Sequence, residues 1–350
     1  MKNIAKLLFV ALGVAAIASC NKEMPEVSAP VDNGLVKVLF ALPEGSPMTR
    51  ATTEASESNV NRLDIAVVNG GSIAYTGTAT QNGVSIEVNP GTYDVYAFVN
   101  APSSFRSGFD TDNLIGTSIS TLVSAVSKMG DNSATNFIMS GNITGKAIDG
   151  TTGTVVVPVS RHSSKVILQA MNVDFTGTPY VGKTLTIKGI YMSNVFTEAT
   201  YEPKEIASPA ATESLWLNKF GTIDATGAMA ALTVESGLSI ALADGGSNST
   251  AHYFYPYPNA TNNDVNTLDA WSVRDTRLVI QARMQGDTAD CYYHIDIPGM
   301  KPNHKYVITA VNIKNLGGPD PEHNLEKQGV DFTVDVLDWE TGFERAFTFE

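Results

Sequence analysis

The chain has 350 residues, 43% of them hydrophobic, so it can bury a sizeable core, and its length favours two domains over one. It carries 36 Asp and Glu against 23 Lys and Arg, a net charge of −13. This balance argues against a nucleic-acid partner, which would require clustered basic residues. The only cysteines are Cys20 and Cys291. Cys20 is the expected lipidation site, so one cysteine remains and no internal disulfide is expected. Stability must then come from burial and strand pairing.

The N-terminus has the pattern of a lipoprotein signal peptide. Lys2 and Lys6 precede the apolar run from Leu7 to Ile17, which is too short to span a bilayer. Small residues then lead to Cys20, which would become the lipidated first residue. The sequence therefore predicts a signal peptide over residues 1–20 and a precursor anchored to the outer membrane only through this lipid.

A strongly apolar segment follows the predicted tether. Residues 35–42 (LVKVLFAL) predict a strand buried on both faces, with Lys37 as the one polar exception. The residues that share one face of this strand are Val36, Val38, Phe40 and Leu42. Residues 21–50 are thus predicted to be a tether and a propeptide strand.

A single arginine stands in the loop after this strand. The segment from Pro43 to Arg50 contains Pro, Gly and polar residues, and such exposed loops suit proteolysis. We expect a trypsin-like, Arg-specific protease to cut between Arg50 and Ala51. Exposed arginines are common, and the preceding strand together with the polar stretch 52–59 distinguishes this one. The cut would detach both the lipid and the strand.

The remaining sequence predicts an all-β protein. Segments rich in Val, Ile, Tyr, Phe and Thr and bounded by turn residues are predicted as strands: 62–68, 83–88, 93–99, 137–140, 153–159, 165–171, 184–191, 252–257, 277–284, 292–297, 306–313 and 331–336. Apolar residues at helical spacing predict one amphipathic helix over 115–129, covering a sheet. Many short strands with one or two short helices indicate β-sandwiches, here an N-terminal domain of residues 51–160 and a C-terminal domain of residues 161–350.

The sequence contains little that could perform catalysis. The five histidines lack metal-ligand spacing, so surface or sheet positions are expected for them. Cys291 lies in an alternating segment and is expected to be a buried, inert thiol. Asp110 and Asp112 lack the other ligands of a calcium loop and are expected to cap a turn. No catalytic residue, metal or cofactor is predicted, and an enzyme is the least favoured class.

Several short motifs occur in an order that identifies a family. They are Ile17 to Cys20, Thr49-Arg50-Ala51, Val60 to Val68, Asn89 to Asn100, Phe137 to Gly141, Val159 to Arg161 with Lys165-Val166, Tyr253 to Asn259, Lys305 to Thr309, Gly317 to Pro321 and Val334 to Trp339. Together they resemble the fimbrillin family, the subunits of type V pili of Gram-negative anaerobes of gut and mouth. The resemblance implies two transthyretin-like Greek-key β-sandwich domains, no enzymatic activity, lipoprotein export, cleavage at the arginine and polymerisation by strand exchange.

The resemblance also implies partners and a location. Other pilin subunits would be the main partners, in a homopolymer or a mixed filament, and a host or bacterial surface ligand would serve adhesion. The lipid-anchored precursor would lie at the outer membrane and the processed subunit in an extracellular fimbrium.

The C-terminal tail is the predicted donor strand. Alternation places Phe343, Phe347 and Phe349 on one face of a final segment after Trp339. An added strand would restore the apolar contacts and backbone pairs lost with residues 35–42, as in the donor-strand complementation of chaperone and pilin pairs. The alternative is that the tail is an ordinary last strand in its own domain.

A rival hypothesis is a surface lipoprotein that keeps its lipid and binds glycans through exposed aromatic residues such as Tyr253 or Trp271. It requires an aromatic row facing solvent, whereas the pilin hypothesis requires Ala51 as the mature N-terminus. Asp287-Thr288-Ala289 also resembles a short bacterial O-glycosylation sequence.

Overall fold

A computed structural model describes residues 34–43, 55–202, 210–224, 226–263, 271–322, 337–338 and 345–349. It is built mainly from β-strands, which confirms the all-β prediction. The first half contains β1 (Val36–Ala41), β2 (Leu63–Asn69), β3 (Ser72–Ala79), β4 (Gly83–Val88), β5 (Gly91–Val99), β6 (Val126–Lys128), β7 (Met139–Ile148), β8 (Thr154–Val156) and β9 (Ser160–Arg161).

The second half contains β10 (Lys165–Leu168), β11 (Met171–Val173), β12 (Thr184–Ser193), β13 (Val195–Phe196), β14 (Glu198–Thr200), β15 (Trp216–Leu217), β16 (Val234–Ala243), β17 (Ser247–Asn248), β18 (His252–Phe254), β19 (Thr276–Met284), β20 (Cys291–Ile297), β21 (His304–Ile313), β22 (Leu337–Asp338) and β23 (Arg345–Phe349). The α-helices are α1 (Ser103–Asp110), α2 (Ser120–Val123) and α3 (Gly227–Thr233), and single 3-10 turns occur at Ala55–Ser58, Met129–Asp131 and Glu213–Leu215.

Two sheets enclose the first hydrophobic core. A five-stranded sheet has the order β3-β2-β5-β7-β9, and a three-stranded sheet has the order β4-β1-β8. Apolar side chains of both sheets share one cluster, which includes Phe40, Ile65, Val95 and Val155. This is sheet-on-sheet packing, in which each strand directs alternate residues inward.

The second core lies between two larger sheets. One has the order β16-β12-β19-β20. In the other, β21 runs parallel to β10 and β11 on one side and pairs with β22 and β23 on the other. Their apolar residues form a single large cluster.

The first and second halves are joined by more than the chain. Strand β14 pairs with β6, and Met129 and Phe137 from the first half lie in the core of the second. The described residues from Leu35 onward accordingly group as one compact unit, and the predicted boundary between residues 160 and 161 lies within β9.

The predicted helix over 115–129 is wrong. Only Ser120–Val123 is α-helical, and the chain then enters β6. Ile119 and Leu122 are buried, but Ile115 and Val126 are 53% and 50% exposed, so the apolar stripe does not cover one surface. Gly116, with φ +84°, interrupts the helical backbone at the start of the stripe.

Other differences concern strands and helices with weak patterns. The structure adds β3 and β16, whose Gly77 and Gly237 interrupt alternation, and α1, whose Phe105 and Phe109 pack on Phe98. The predicted strand 331–336 lies outside the described residues. Within the part of the chain that the structure describes, no helix has the length and apolar character needed to cross a membrane.

Candidate functional site

Strand β1 is the central strand of its sheet. It pairs antiparallel with β4, where Val38 lies opposite Ile86, and parallel with β8, where Phe40 lies opposite Val155. Beyond the ladder, Leu42 N–H donates to the Asn82 carbonyl at 2.9 Å. The neighbours β4 and β8 do not pair with each other, so β1 alone joins them.

Only one face of β1 is buried. Val38 and Phe40 are 0% exposed and Leu42 is 4% exposed, whereas Leu39 on the opposite face is 39% exposed. The expectation of burial on both faces is therefore wrong. Among the described residues, no second layer covers the outer face of this small sheet, so Leu35 and Leu39 are exposed although they are apolar.

The inner face of β1 packs into the first core. Val36 is half-buried there, and the core side chains around the strand include Ile86 and Val88 of β4, Val155 of β8 and Val157 after it. Taking β1 away would expose these side chains and leave unpaired N–H and C=O groups along β4 and β8. The site is thus a linear groove with apolar walls and two hydrogen-bonding edges.

The predicted modification sites lie outside the described residues. Cys20 belongs to residues 1–33, and Arg50 and Ala51 belong to residues 44–54. The described chain stops at Pro43, directly after β1, and resumes at the 3-10 turn Ala55–Ser58.

The C-terminal tail lies on its own chain. In β23, Phe347 pairs with Val311 and Phe349 with Ile313 of β21, in the parallel direction. Phe343 lies outside the described residues. The backbone position of Arg345–Phe349 corresponds to the alternative in which the tail is a last strand of its own sheet, held by a single neighbour.

A buried ion pair that no sequence pattern predicts lies after the predicted cut. The carboxylate of Glu57 lies 2.9 Å from the ammonium of Lys165, and both side chains are buried. The available sequence signal is a run of charged and polar residues, Arg161 to Lys165, directly before an apolar strand. A polar run of this kind in a core position requires buried partners.

A second buried network surrounds His162. Its Nδ1 lies 2.9 Å from the Ser127 hydroxyl, and its Nε2 lies 2.8 Å from the Ser140 hydroxyl. Ser127 in turn contacts the Tyr257 hydroxyl at 2.7 Å. Burial lowers the pKa of His162 to about 3, so the imidazole is neutral at physiological pH. The network is closed to solvent and therefore joins the two halves rather than meeting a substrate.

The remaining candidates behave as structural groups. His252 and His294 lie in strands, which is the sheet position expected as one of two alternatives, and His162 is buried directly after β9. Cys291 is buried in β20, as expected, and burial raises the pKa of its thiol, which disfavours the reactive thiolate. Asp110 pairs with Arg62 at 2.6 Å. Among the described residues, no group of three His, Cys, Asp or Glu could hold a metal ion.

Tyr253 and Trp271, the two aromatic candidates for glycan binding, are both half-buried. The ammonium of Lys165 lies 5.3 Å from the ring centre of Tyr253, and Trp271 packs against Trp216 at 5.5 Å between ring centres. Both candidates of the glycan hypothesis thus make intramolecular contacts. Thr288, by contrast, lies in the exposed connection between β19 and β20.

Comparison with known proteins agrees with this fold. A family model described as major fimbrial subunit protein (FimA) matches residues 36–176, beginning at the first residue of β1. A comparison with curated protein sequences gives no significant match.

Two solved structures share the architecture. A fimbrilin from Porphyromonas gingivalis has a TM-score of 0.56 at 13% identity, covering 90% of this chain and 96% of that one. The tip fimbrial protein Mfa3 from the same organism has a TM-score of 0.52 at 12% identity, covering 87% of this chain and 100% of that one. At such identities the two structures show that the fold is shared and nothing more. The family model relates residues 36–176, which include both sheets of the first core, to the major fimbrial subunit protein.

Proposed function

We propose that this chain is the precursor of a fimbrial subunit, exported as a lipoprotein on Cys20, cleaved between Arg50 and Ala51, and polymerised by strand exchange. The observation that carries the proposal is the place of β1. It is the central strand of a sheet and fills the first core with Val38 and Phe40, yet it precedes the predicted cut. A cut in the following loop makes this essential strand removable.

The groove specifies the kind of molecule that replaces β1. Its two edges require an extended backbone, and its floor requires apolar side chains at alternate positions, as at Val38, Phe40 and Leu42. Outward-facing positions tolerate polar residues, since Lys37 is exposed. A strand from another subunit meets all three requirements.

The C-terminal tail of a second copy is the proposed donor. Phe343, Phe347 and Phe349 alternate in sequence as the groove requires. Among the described strands of its own chain, β23 pairs with β21 alone. In the groove it would pair on both sides and cover an apolar floor, so the exchange would increase its backbone hydrogen bonding.

The contact between the groove of one subunit and the tail of another can repeat along a chain of subunits. The groove lies in the first half of the chain and the tail at its end, so each subunit offers one of each, and a head-to-tail contact that does not close forms a filament. Residues 51–160 would be the accepting domain and residues 161–350 the donating domain. A removable lipid and a tail that can act as donor favour a shaft subunit over a permanent anchor.

The processing step tests the proposal most directly. We expect N-terminal sequencing of the surface-exposed protein to read Ala51, and Arg50→Ala to leave a lipid-bound, unassembled precursor. Arg106→Ala is the matched control, because this arginine lies in α1 and its loss should change neither the N-terminus nor assembly. An assembled surface protein that still begins at Cys20 would rule the proposal out and would favour the lipid-retaining alternative.

A further inference from the structure

The segment that would become the new N-terminus is held by a buried ion pair. Lys165 Nζ donates to both carboxylate oxygens of Glu57 at 2.9 Å, and the Tyr255 hydroxyl donates to Oε1 at 2.5 Å. Glu57 is 3% exposed and Lys165 is 0% exposed. A carboxylate with three such short contacts in a site closed to water is fixed in place.

Arg161 holds the backbone of the same turn. Arg161 donates through Nε and Nη2 to the Glu57 carbonyl at 3.3 and 3.2 Å, and through Nη2 to the Ser58 hydroxyl at 3.3 Å. Arg161 is 2% exposed. The guanidinium therefore fixes the main chain, while Lys165 and Tyr255 fix the side chain.

The groups that hold Glu57 do not belong to β1. Lys165 lies in β10, which pairs on one side with β18 and on the other with β21, and Tyr255 follows β18 directly. Arg161 lies in β9 at the edge of the five-stranded sheet. In the described structure β1 pairs with β4 and β8 and with none of these strands, so removing β1 takes away no hydrogen bond of the anchor.

The anchor lies close to the predicted cut. Six residues separate Arg50 from Glu57. After the anchor, the Asn100 side chain donates to the Asn59 carbonyl at 2.7 Å and accepts from the Asn61 N–H at 2.9 Å, so the path into β2 is fixed as well. After cleavage, only the six residues 51–56 would precede the anchored Glu57, and the residues that follow it would be held by the hydrogen bonds of Asn100.

We propose that Glu57, held by Lys165, Tyr255 and Arg161, is a positioning residue for processing. It confines proteolysis to the segment before residue 55 and keeps the start of the mature chain joined to the second half after β1 departs. The inference rests on the proposed cleavage at Arg50 for its biological meaning. Its physical content, the protection of residues 55–61 independent of β1, can be measured without that assumption.

The test uses the full-length chain, both intact and cut at Arg50 in vitro with an arginine-specific protease. Hydrogen exchange followed by mass spectrometry reports on residues 55–61. Digestion with a Glu-specific protease reports on access to the bond after Glu57. We expect residues 55–61 of the wild type to stay protected in both forms, and the bond after Glu57 to stay uncut.

Lys165→Met removes the cation while keeping a long apolar side chain, and it leaves the buried Glu57 carboxylate without its ion-pair partner. We expect exchange of residues 55–61 to rise at least about tenfold and the bond after Glu57 to become cleavable. Lys301→Met, the same change at an exposed lysine, should leave both readouts unchanged. In the double variant Glu57→Gln/Lys165→Met, residues 55–61 should regain much of their protection from hydrogen exchange, because no buried charge is left unpaired. Hydrogen exchange is the readout for this variant, since a Glu-specific protease does not cut after Gln.

Exchange in β2 and β5 separates local release from unfolding. These strands should remain protected in Lys165→Met. If they do not, Tyr255→Phe replaces it in the comparison, because it removes one donor to Glu57 without removing a charge, and it should also raise exchange of residues 55–61. Equal exchange of residues 55–61 in the wild type and in whichever of these two variants stays folded would overturn the anchor. Loss of protection in the cut wild type would overturn it too, while leaving cleavage at Arg50 intact. Conversely, a natural N-terminus elsewhere would refute the processing proposal without affecting this measurement.

Discussion

The imidazole of His162 and the hydroxyl of Ser127 lie 2.9 Å apart in the buried boundary between the two halves of the chain. His162 is 6% exposed and has a second hydroxyl, that of Ser140, on its other nitrogen. The two hydroxyl groups can each donate or accept, so they suit a neutral imidazole. Among the described residues, no carboxylate is hydrogen-bonded to this ring to compensate a protonated imidazolium.

This arrangement predicts acid sensitivity. The pKa of His162 is about 3 when folded, against an ordinary value of 6.5, so below pH 6.5 the unfolded chain binds a proton that the folded chain does not. Stability at this site should therefore fall as the pH drops from 6.5 towards 3, by up to ~1.4 kcal/mol per pH unit. Urea unfolding at pH 7.5 and pH 5 measures the change. His162→Gln should reduce the pH dependence and His304→Gln should not. Equal slopes in the wild type and His162→Gln would contradict the assignment.

The one-sided burial of β1 predicts unequal effects of two neighbouring substitutions. Phe40→Ala removes a side chain that is 0% exposed and should lower the free energy of unfolding of the intact precursor by ~3–5 kcal/mol. Leu39→Ala, at a residue 39% exposed, should cost less than about 1 kcal/mol. Urea titration of the uncut chain gives both values. If the two losses were similar, β1 would not pack as described.

A close approach in the first half gives a test of the fold itself. A Cβ at Gly141 in β7 would overlap the Pro158 carbonyl, which is backbone and cannot move aside cheaply. Gly141→Ala should therefore lower the free energy of unfolding by at least ~1–3 kcal/mol. Gly150→Ala is the control, because a Cβ there meets nothing within 4 Å. Thermal unfolding should give a clearly lower midpoint for Gly141→Ala than for Gly150→Ala. Equal midpoints would mean that the Pro158 carbonyl does not lie against Gly141.

The donor assignment is tested at the C-terminus. Removing residues 340–350 should leave a folded, secreted and correctly cleaved protein that stays monomeric in size-exclusion chromatography. Phe347→Asp with Phe349→Asp should have the same effect, since charges cannot enter an apolar groove. Ala346→Asp with Thr348→Asp, on the opposite face by alternation, should still assemble. If the truncated chain still formed filaments of normal length, the C-terminal tail would not be the donor strand, and another segment would have to supply it.

Local alternation was sufficient to predict many strands. Residues 83–88 form β4 with the predicted bounds, and β19, β20 and β21 begin within two residues of their predicted starts. Alternation did not predict one-sided burial of β1, because apolar residues occupy both faces of LVKVLFAL and only the number of sheet layers decides which face is covered. The Glu57 and Lys165 pair was not predictable either. Its members are 108 positions apart, and no periodicity connects two charges over that distance.

The exposure of Leu39 on the outer side of β1 has a consequence for immune recognition. If a replacement strand takes the same place, the solvent-facing side chains at that position come from one molecule and those of β4 and β8 from another. An antibody that reads this surface would recognise a composite epitope, present on the assembled fibre and absent from each separate subunit. Variation in the tail of one protein would then alter the antigenic surface of its neighbour.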